Sequence, residues 1–235
     1  YLMSDLLSRI ASPYDTNPLK INPLRDLVES VIDFDKVRAC DPLKLFIAAT
    51  NVHTGKIKVF ERPELTADMI LASACLPFLY HAVEIEGIPY WDGGYVGNPP
   101  LFPLFHRAKS RDIVIVQINP IERLETPKTA RAIMNRVNEI SFNSSLLREL
   151  RSVDFVHRLL RDNKLEPDRY ADMLVHRIEA SAEMKALSAS SKVNAEWAFL
   201  THLRDVGRES AKAFLDRHYE ALGERSSLDL RQEFS

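Results

Sequence analysis

Two short apolar runs constrain the fold of this chain more than any other feature. Residues 43–52 (LKLFIAATNV) and 111–120 (RDIVIVQINP) are nearly continuous in apolar side chains. Such a run is typical of a strand that is buried on both faces. Helical patterns lie before, between and after the two runs. This mixture predicts an α/β protein built in layers, rather than a helical bundle or a β-sandwich.

The helical patterns differ in length. Asn22 and Pro23 suit the cap and the first position of a short helix near the start of the chain. Residues 126–162 have apolar positions near helical spacing, which predicts one long helix. Residues 195–223 predict one or two amphipathic helices that end at a glycine. The last residues, 224–235, have the composition of a loose tail.

A carboxylate in a glycine cluster is the sharpest candidate for a functional residue. Residues 83–91 predict two short strands around a turn at Gly87, and the second strand delivers Asp92. Gly93 and Gly94 follow, and with the glycine at position 97 this stretch holds three of the chain's seven. An average chain of this length has about 16 glycines. Functional groups often lie at strand ends in α/β proteins, but an aspartate before glycine can equally serve its own turn.

Composition excludes several classes of function. A net charge of −2 and a pI of 6.4 leave no whole-chain electrostatic footprint for nucleic acid. Two cysteines cannot build a disulfide framework or a four-cysteine zinc site. No histidine pair has H-x-H or H-x-x-x-H spacing, so the sequence predicts no metal site. No apolar run reaches the roughly 18 residues that a membrane span needs.

Other catalytic arrangements have weaker support. A Ser-His-Asp triad is possible in principle, but the sequence contains no G-x-S-x-G elbow. Ser73 lacks flanking glycines and is expected to be a packed helix residue. Glu84 and Glu86 could form a glycosidase pair with Asp92. Both glutamates alternate with apolar residues, however, so the simpler expectation is that they face water.

The long helix is rich in arginine. A solvated helix face is the default interpretation, and a surface for anionic lipid headgroups is the functional alternative. The arginines of this helix are Arg131, Arg136, Arg148, Arg151, Arg158 and Arg161.

The stretch LASACLPFLYHAVEIEGIPYWDGGYVGNPPL, residues 71–101, resembles the C-terminal part of the patatin-like phospholipase domain, especially in its bacterial members. The shared features are a small-residue helix ending in proline, a strand pair, Asp-Gly-Gly and Asn-x-Pro. The resemblance extends from about Asn22 to Arg161 and includes the two apolar runs. It implies a three-layer α/β/α sandwich. Residues 1–162 are then the C-terminal portion of the domain, and residues 163–235 a helical extension packed on it.

The resemblance also implies a catalytic mechanism. In this family a serine and an aspartate form a dyad without histidine, and the aspartate of the Asp-Gly-Gly motif corresponds to Asp92, with Gly93 and Gly94 shaping the turn. The family's serine lies in a G-x-S-x-G elbow, and a glycine-rich loop provides the oxyanion hole. Both segments precede the region of resemblance, and neither occurs in this sequence. We therefore expect the nucleophile to lie outside this chain and the chain alone to be inactive.

The implied activity is that of a lipid acyl hydrolase, a phospholipase A-like esterase that needs no cofactor. Its substrate is a lipid ester, and an anionic membrane surface is a candidate partner. The expected location is the cytoplasm or the periphery of a membrane. Two alternatives stay open: a non-catalytic lipid-binding or regulatory protein on the same scaffold, and a protein that binds a partner through its long helices.

Overall fold

The computed structural model describes residues 11–166, 169–170, 172–179, 184, 187, 191 and 194–234. Contacts group the chain into two compact units, one up to Pro100 and one from Leu101 onward. Both units contain helices and strands, so the predicted α/β class is confirmed. The predicted three-layer stacking and the predicted division after residue 162 stay predictions.

The first unit begins with three short helices: α1 (Pro13–Thr16), α2 (Pro23–Val31) and α3 (Phe34–Ala39). Helix α2 starts as predicted. The side chain of Asn22 accepts a hydrogen bond from the backbone N–H of Leu24 at 3.2 Å, and Pro23 occupies the first helical position. Proline is favoured there because the missing N–H would have no helical partner.

A four-stranded antiparallel sheet forms the centre of this unit. Its strands are β1 (Phe46–Asn51), β2 (Ile57–Glu61), β3 (Val83–Ile85) and β4 (Ile88–Asp92), in the order β2-β1-β4-β3. The predicted strand pair within residues 83–91 is confirmed, and β1 and β2 form a second hairpin. The β3–β4 turn has positive φ at both Glu86 and Gly87, as a two-residue hairpin turn requires. Helix α4 (Ala67–Ser73) contributes Met69 and Ala72 to the core over this sheet.

The second unit contains α5 (Phe102–Arg107), β5 (Asp112–Gln117), α6 (Ala130–Arg161), β6 (Leu174–Glu179) and α7 (Trp197–His218). Strands β5 and β6 pair in parallel over six residues. The predicted long helix is present as α6. The core of this unit combines Ile113 and Ile115 of β5 with Leu146 and Leu150 of α6 and Val175 of β6.

The burial predicted for the two apolar runs is only partly correct. In β1, Ala49 and Thr50 are buried, and the other residues are half-buried. In β5, burial alternates, because only one face packs against α6: Val114 is 44% exposed and Val116 69% exposed. Among the described residues β5 has a partner strand on one side only. For β5, the prediction that both faces of the strand are buried is therefore wrong.

The C-terminal segment is docked, so the prediction of a loose tail is wrong. The backbone N–H of Val175 donates to Ser226 Oγ at 3.0 Å, and its carbonyl accepts from the N–H of Leu228 at 3.2 Å. Leu230 is buried in the core of the second unit. Arg177 forms an ion pair with Glu233, and both side chains are mostly buried. These polar bonds are long-range in sequence, and the segment's composition does not reveal them.

Candidate active site

Hydrogen bonds of its backbone groups to other residues hold Asp92 in place. It is the last residue of β4 and lies opposite Ala49 of β1. Its N–H donates to the carbonyl of Cys75 at 2.9 Å, and its carbonyl accepts from Thr50 Oγ1 at 2.8 Å. Contacts with two other chain segments, β1 and the loop at Cys75, therefore fix the start of the turn that follows. Neither Cys75 nor Thr50 was singled out from the sequence, because their roles depend on contacts between distant residues.

The carboxylate of Asp92 is half-buried and oriented by the turn. Its Oδ1 accepts a hydrogen bond from the backbone N–H of Gly94 at 2.7 Å. Residues Gly93–Tyr95 form a single turn of 3₁₀ helix, with Asp92 as its cap. This bond is the local one expected for an aspartate before glycine. It also gives the carboxylate one defined direction, which a catalytic base requires.

Gly93 lies directly against the backbone of β1. A Cβ at this position would lie 2.2 Å from the carbonyl oxygen of Ala48 and 2.5 Å from its carbonyl carbon. Both Gly93 and Gly94 are buried. Glycine at position 93 lets the turn pack on the strand, and this packing keeps Asp92 at the sheet surface. The sequence signal for this contact was the glycine cluster.

The groups around Asp92 are kept uncharged. Burial raises the pKa of the Cys75 thiol to about 11, and the nearby carboxylate of Asp92 adds to the shift. Burial, with Asp92 and Cys75 as smaller causes, also raises the pKa of Tyr95. Cys75 Sγ donates to the carbonyl of His81 at 3.1 Å. A buried, protonated thiol is a poor nucleophile, so Cys75 is part of the surroundings of Asp92 rather than its catalytic partner.

Apolar side chains near the turn differ in exposure. Tyr90 is buried and Trp91 half-buried, but Phe78 is 72% exposed and Leu79 is 47% exposed. Two residues separate this exposed pair from Cys75. The carbonyl of Cys75 accepts the hydrogen bond from the N–H of Asp92.

The alternative candidates of the first unit lie where the simpler expectation put them. Ser73 is the last residue of α4 and is half-buried. Glu84 and Glu86 are exposed on and beside β3. The glutamates therefore face water, as their alternation with apolar residues predicted.

The second unit contains a Ser-His-Asp set. His176 is completely buried, with Nδ1 3.0 Å from Ser227 Oγ and Nε2 3.0 Å from Asp112 Oδ1. Asp112 Oδ1 also accepts from the N–H of Gly223 at 2.8 Å, and this bond is the main cause of its lowered pKa. In Ser-His-Asp hydrolases Nε2 faces the serine and Nδ1 the aspartate. The order is reversed here, and the histidine has no access to solvent, so the set fastens the C-terminal segment. We call it the C-terminal clasp.

A cavity of about 1020 Å³ in the second unit lies beside the loop 122–129 and the first turns of α6. Asp92, Gly93 and Gly94 are not among its lining residues. Its central charges are already paired, since Glu139 accepts from Arg123 at 2.6 Å and from Arg136 at 3.2 Å. Within the described part of the chain, no group of three His, Cys, Asp or Glu side chains could hold a metal ion.

Comparison with known families gives a match that covers the Asp92 turn. Residues 12–105 match the family model described as patatin-like phospholipase. This match confirms the resemblance seen in the sequence for that part of the chain, which is less than half of it. The matched segment is similar to a family described as phospholipases, and it includes the Asp92 turn. No curated protein matches the chain in sequence.

Proposed function

We propose that the chain is part of a lipid acyl hydrolase in which Asp92 is the general base of a Ser-Asp dyad. The serine is supplied by residues outside this sequence. The observation that carries the proposal is the half-buried carboxylate at the end of β4, held by the N–H of Gly94 within the family match. Gly93 and Gly94 shape the turn that presents it.

In the proposed reaction Asp92 carries one proton in each of two steps, first that of the serine and then that of a water molecule. Its carboxylate takes the proton from the serine hydroxyl as the serine oxygen attacks the ester carbonyl. The resulting carboxylic acid gives this proton to the leaving alcohol, which leaves an acyl-serine. Water then attacks the acyl group, Asp92 takes the water proton, and the same proton returns to the serine oxygen as the fatty acid departs.

Two ionisable neighbours of Asp92 add no charge to the proposed site. Cys75 and Tyr95 stay uncharged beside it because their pKa values are raised. No cation is needed for the proton transfers. Oxyanion donors come from the same outside segment as the serine, and each such donor contributes roughly 3–4 kcal/mol in other hydrolases.

The exposed Phe78 and Leu79 support an ester with an apolar acyl group. Both lie on the turn after Cys75, and both present large apolar surfaces to solvent. Burying such surface against an acyl chain is favourable at about 25 cal/mol per Å². We propose that these side chains contact the acyl chain of the substrate.

The test compares two variants in the protein translated from the complete reading frame. We expect Asp92→Asn to lower hydrolysis of p-nitrophenyl butyrate by at least 100-fold, within the range for loss of a general base. Glu84→Gln is the matched control, because it removes an exposed carboxylate from the neighbouring strand β3. Residues 1–235 alone should be inactive.

Two outcomes would contradict the proposal. Activity retained by Asp92→Asn would remove Asp92 from the mechanism. An inactive parent protein that still binds lipid vesicles would favour the non-catalytic alternative. Circular dichroism of each variant separates loss of chemistry from loss of fold.

A further inference from the structure

We propose that the exposed side of helix α6 is a docking surface for an anionic lipid bilayer. We call this side the outer face of α6. Among the described side chains, the large exposed ones on this side are apolar or arginine: Ile133, Met134, Val137, Ile140, Arg148, Arg151, Phe155, Arg158 and Arg161.

The apolar part of this face occupies the first half of the helix. Ile133, Val137 and Ile140 follow i, i+4, i+7 spacing, and they are 46%, 51% and 54% exposed. Met134 flanks them and is 53% exposed. The buried face of α6 packs Leu146, Leu150 and Val153 into the core of the second unit. The exposed apolar residues are therefore additional to those that fold the helix.

Arginines continue the same face in the second half of the helix. Arg151 and Arg158, with Phe155 between them, repeat the apolar spacing about five helical turns further along. They therefore lie on the same side of α6 as the first-half residues. Arg148 and Arg161 are also exposed. Apolar surface and arginines on one side are what a helix lying in a bilayer interface needs.

The three carboxylates of α6 have little exposure to solvent. Glu139 is 15% exposed and paired with Arg123 and Arg136. Asp154 is 14% exposed and paired with Arg158. The third is Glu149, whose pKa is raised by burial.

Because these carboxylates are poorly exposed, the exposed charges of the outer face are positive although the whole chain has a net charge of −2. Among the residues whose side chains are described, every exposed charge on α6 is an arginine. Arginines near an anionic leaflet are attracted to it within about one Debye length. A partner with negative charge above an apolar layer matches both halves of the face. None of the described helices is long and apolar enough to cross a bilayer, so the face is proposed to lie on the membrane surface.

The test is vesicle flotation with two double variants. Wild-type protein should float with vesicles of phosphatidylcholine and phosphatidylserine at 50 mM NaCl and not with phosphatidylcholine alone. Arg148→Gln with Arg151→Gln should weaken binding about 30-fold, from the usual contribution of each arginine at a membrane surface. Arg204→Gln with Arg208→Gln is the matched control: it removes the same charge from exposed positions on α7 of the same unit.

A third variant tests the apolar half. Ile133→Ser with Val137→Ser should also weaken vesicle binding and leave the folded state intact, because neither side chain is buried. Equal binding to both vesicle types, or equal losses in the two arginine double variants, would overturn the proposal. So would an apolar double variant that changes the oligomeric state in light scattering but not vesicle binding, since the face would then bind another copy of the chain.

The proposal is separate from the role of Asp92. The Asp92→Asn variant should float with anionic vesicles as well as wild type does. A protein that binds such vesicles but does not hydrolyse esters would support the docking surface and contradict the proposed dyad. A protein that hydrolyses esters but does not bind the vesicles would support the dyad and contradict the docking surface.

Discussion

Gly93→Ala is the substitution whose effect the structure defines most sharply. The added Cβ would lie 2.2 Å from the Ala48 carbonyl oxygen, whereas ordinary van der Waals contact begins at 3.4 Å. The contacted oxygen and carbon belong to the backbone of β1, which pairs with a strand on each side. Neither atom can turn away as a side chain would. The turn or the strand must move by about an ångström.

The expected cost follows from this geometry. Overpacking a tight site costs about 1–3 kcal/mol, and sometimes more when the neighbours are rigid. Because the neighbours of Gly93 are backbone atoms, we expect about 3 kcal/mol of lost unfolding free energy. For a chain of 150–250 residues this corresponds to a decrease in Tm of roughly 6–12 °C. The displaced turn should also remove the esterase activity proposed for Asp92.

The assay is urea unfolding followed by tryptophan fluorescence. The chain has two tryptophans, Trp91 in β4 and Trp197 in α7, so a Trp197→Phe background reports the first unit alone. Gly55→Ala is the matched control, since its Cβ would meet no atom within 4 Å and only its φ of +66° is unfavourable. That strain costs about 1–2 kcal/mol. A Gly93→Ala protein as stable as the Gly55→Ala protein would refute the packing argument.

Two further predictions concern reactivity and pH. Iodoacetamide at pH 8 should modify the exposed Cys40 in the native protein and spare Cys75, because Cys75 is buried and its pKa is raised to about 11; peptide mass spectrometry checks this, and rapid native labelling of Cys75 would contradict it. The pKa of Asp112 is lowered below 3.8, chiefly by the N–H of Gly223 and further by His176, so its stabilising contribution is complete above that pH and is lost as the pH falls through the lowered value. Denaturant unfolding between pH 2 and 7 should therefore show a stability difference between wild type and Asp112→Asn that shrinks only below about pH 4, and a difference independent of pH would reject the contribution of the Asp112 carboxylate.

The sequence predicted local elements of the fold well because their signals are local. The Asn22–Pro23 helix start and the turn at Gly87 depend on neighbouring residues, and both are present in the structure. The environment of the strands was less predictable. Val114 and Val116 belong to an apolar run, but such a run does not show whether neighbouring elements cover one face of the strand or both. The C-terminal segment docks through partners that are distant in sequence, such as Val175. A local sequence pattern therefore cannot predict this docking.

The candidate site was predictable to the same extent. Asp92 and its glycines were visible because the glycine cluster is unusual in a chain with only seven glycines. The residues that fix Asp92 were not visible: Thr50 is 42 positions away, and Cys75 lies in the loop after α4. The C-terminal clasp joins His176 to partners 51 and 64 positions away. No spacing rule connects residues so far apart, so only the folded chain reveals the set.

The order of strands in the first sheet has a consequence for folding. The sheet consists of two local hairpins, and isolated hairpins form in about 1–10 μs. The hairpins join only through β1 and β4, which share three residue pairs and are distant in sequence, and such non-local pairing forms later. Asp92 forms one of those three pairs, opposite Ala49. We therefore expect Asp92 to reach its final position in a late step of folding, after both hairpins have formed. A chain that ends at β3 would contain β1 but not Asp92.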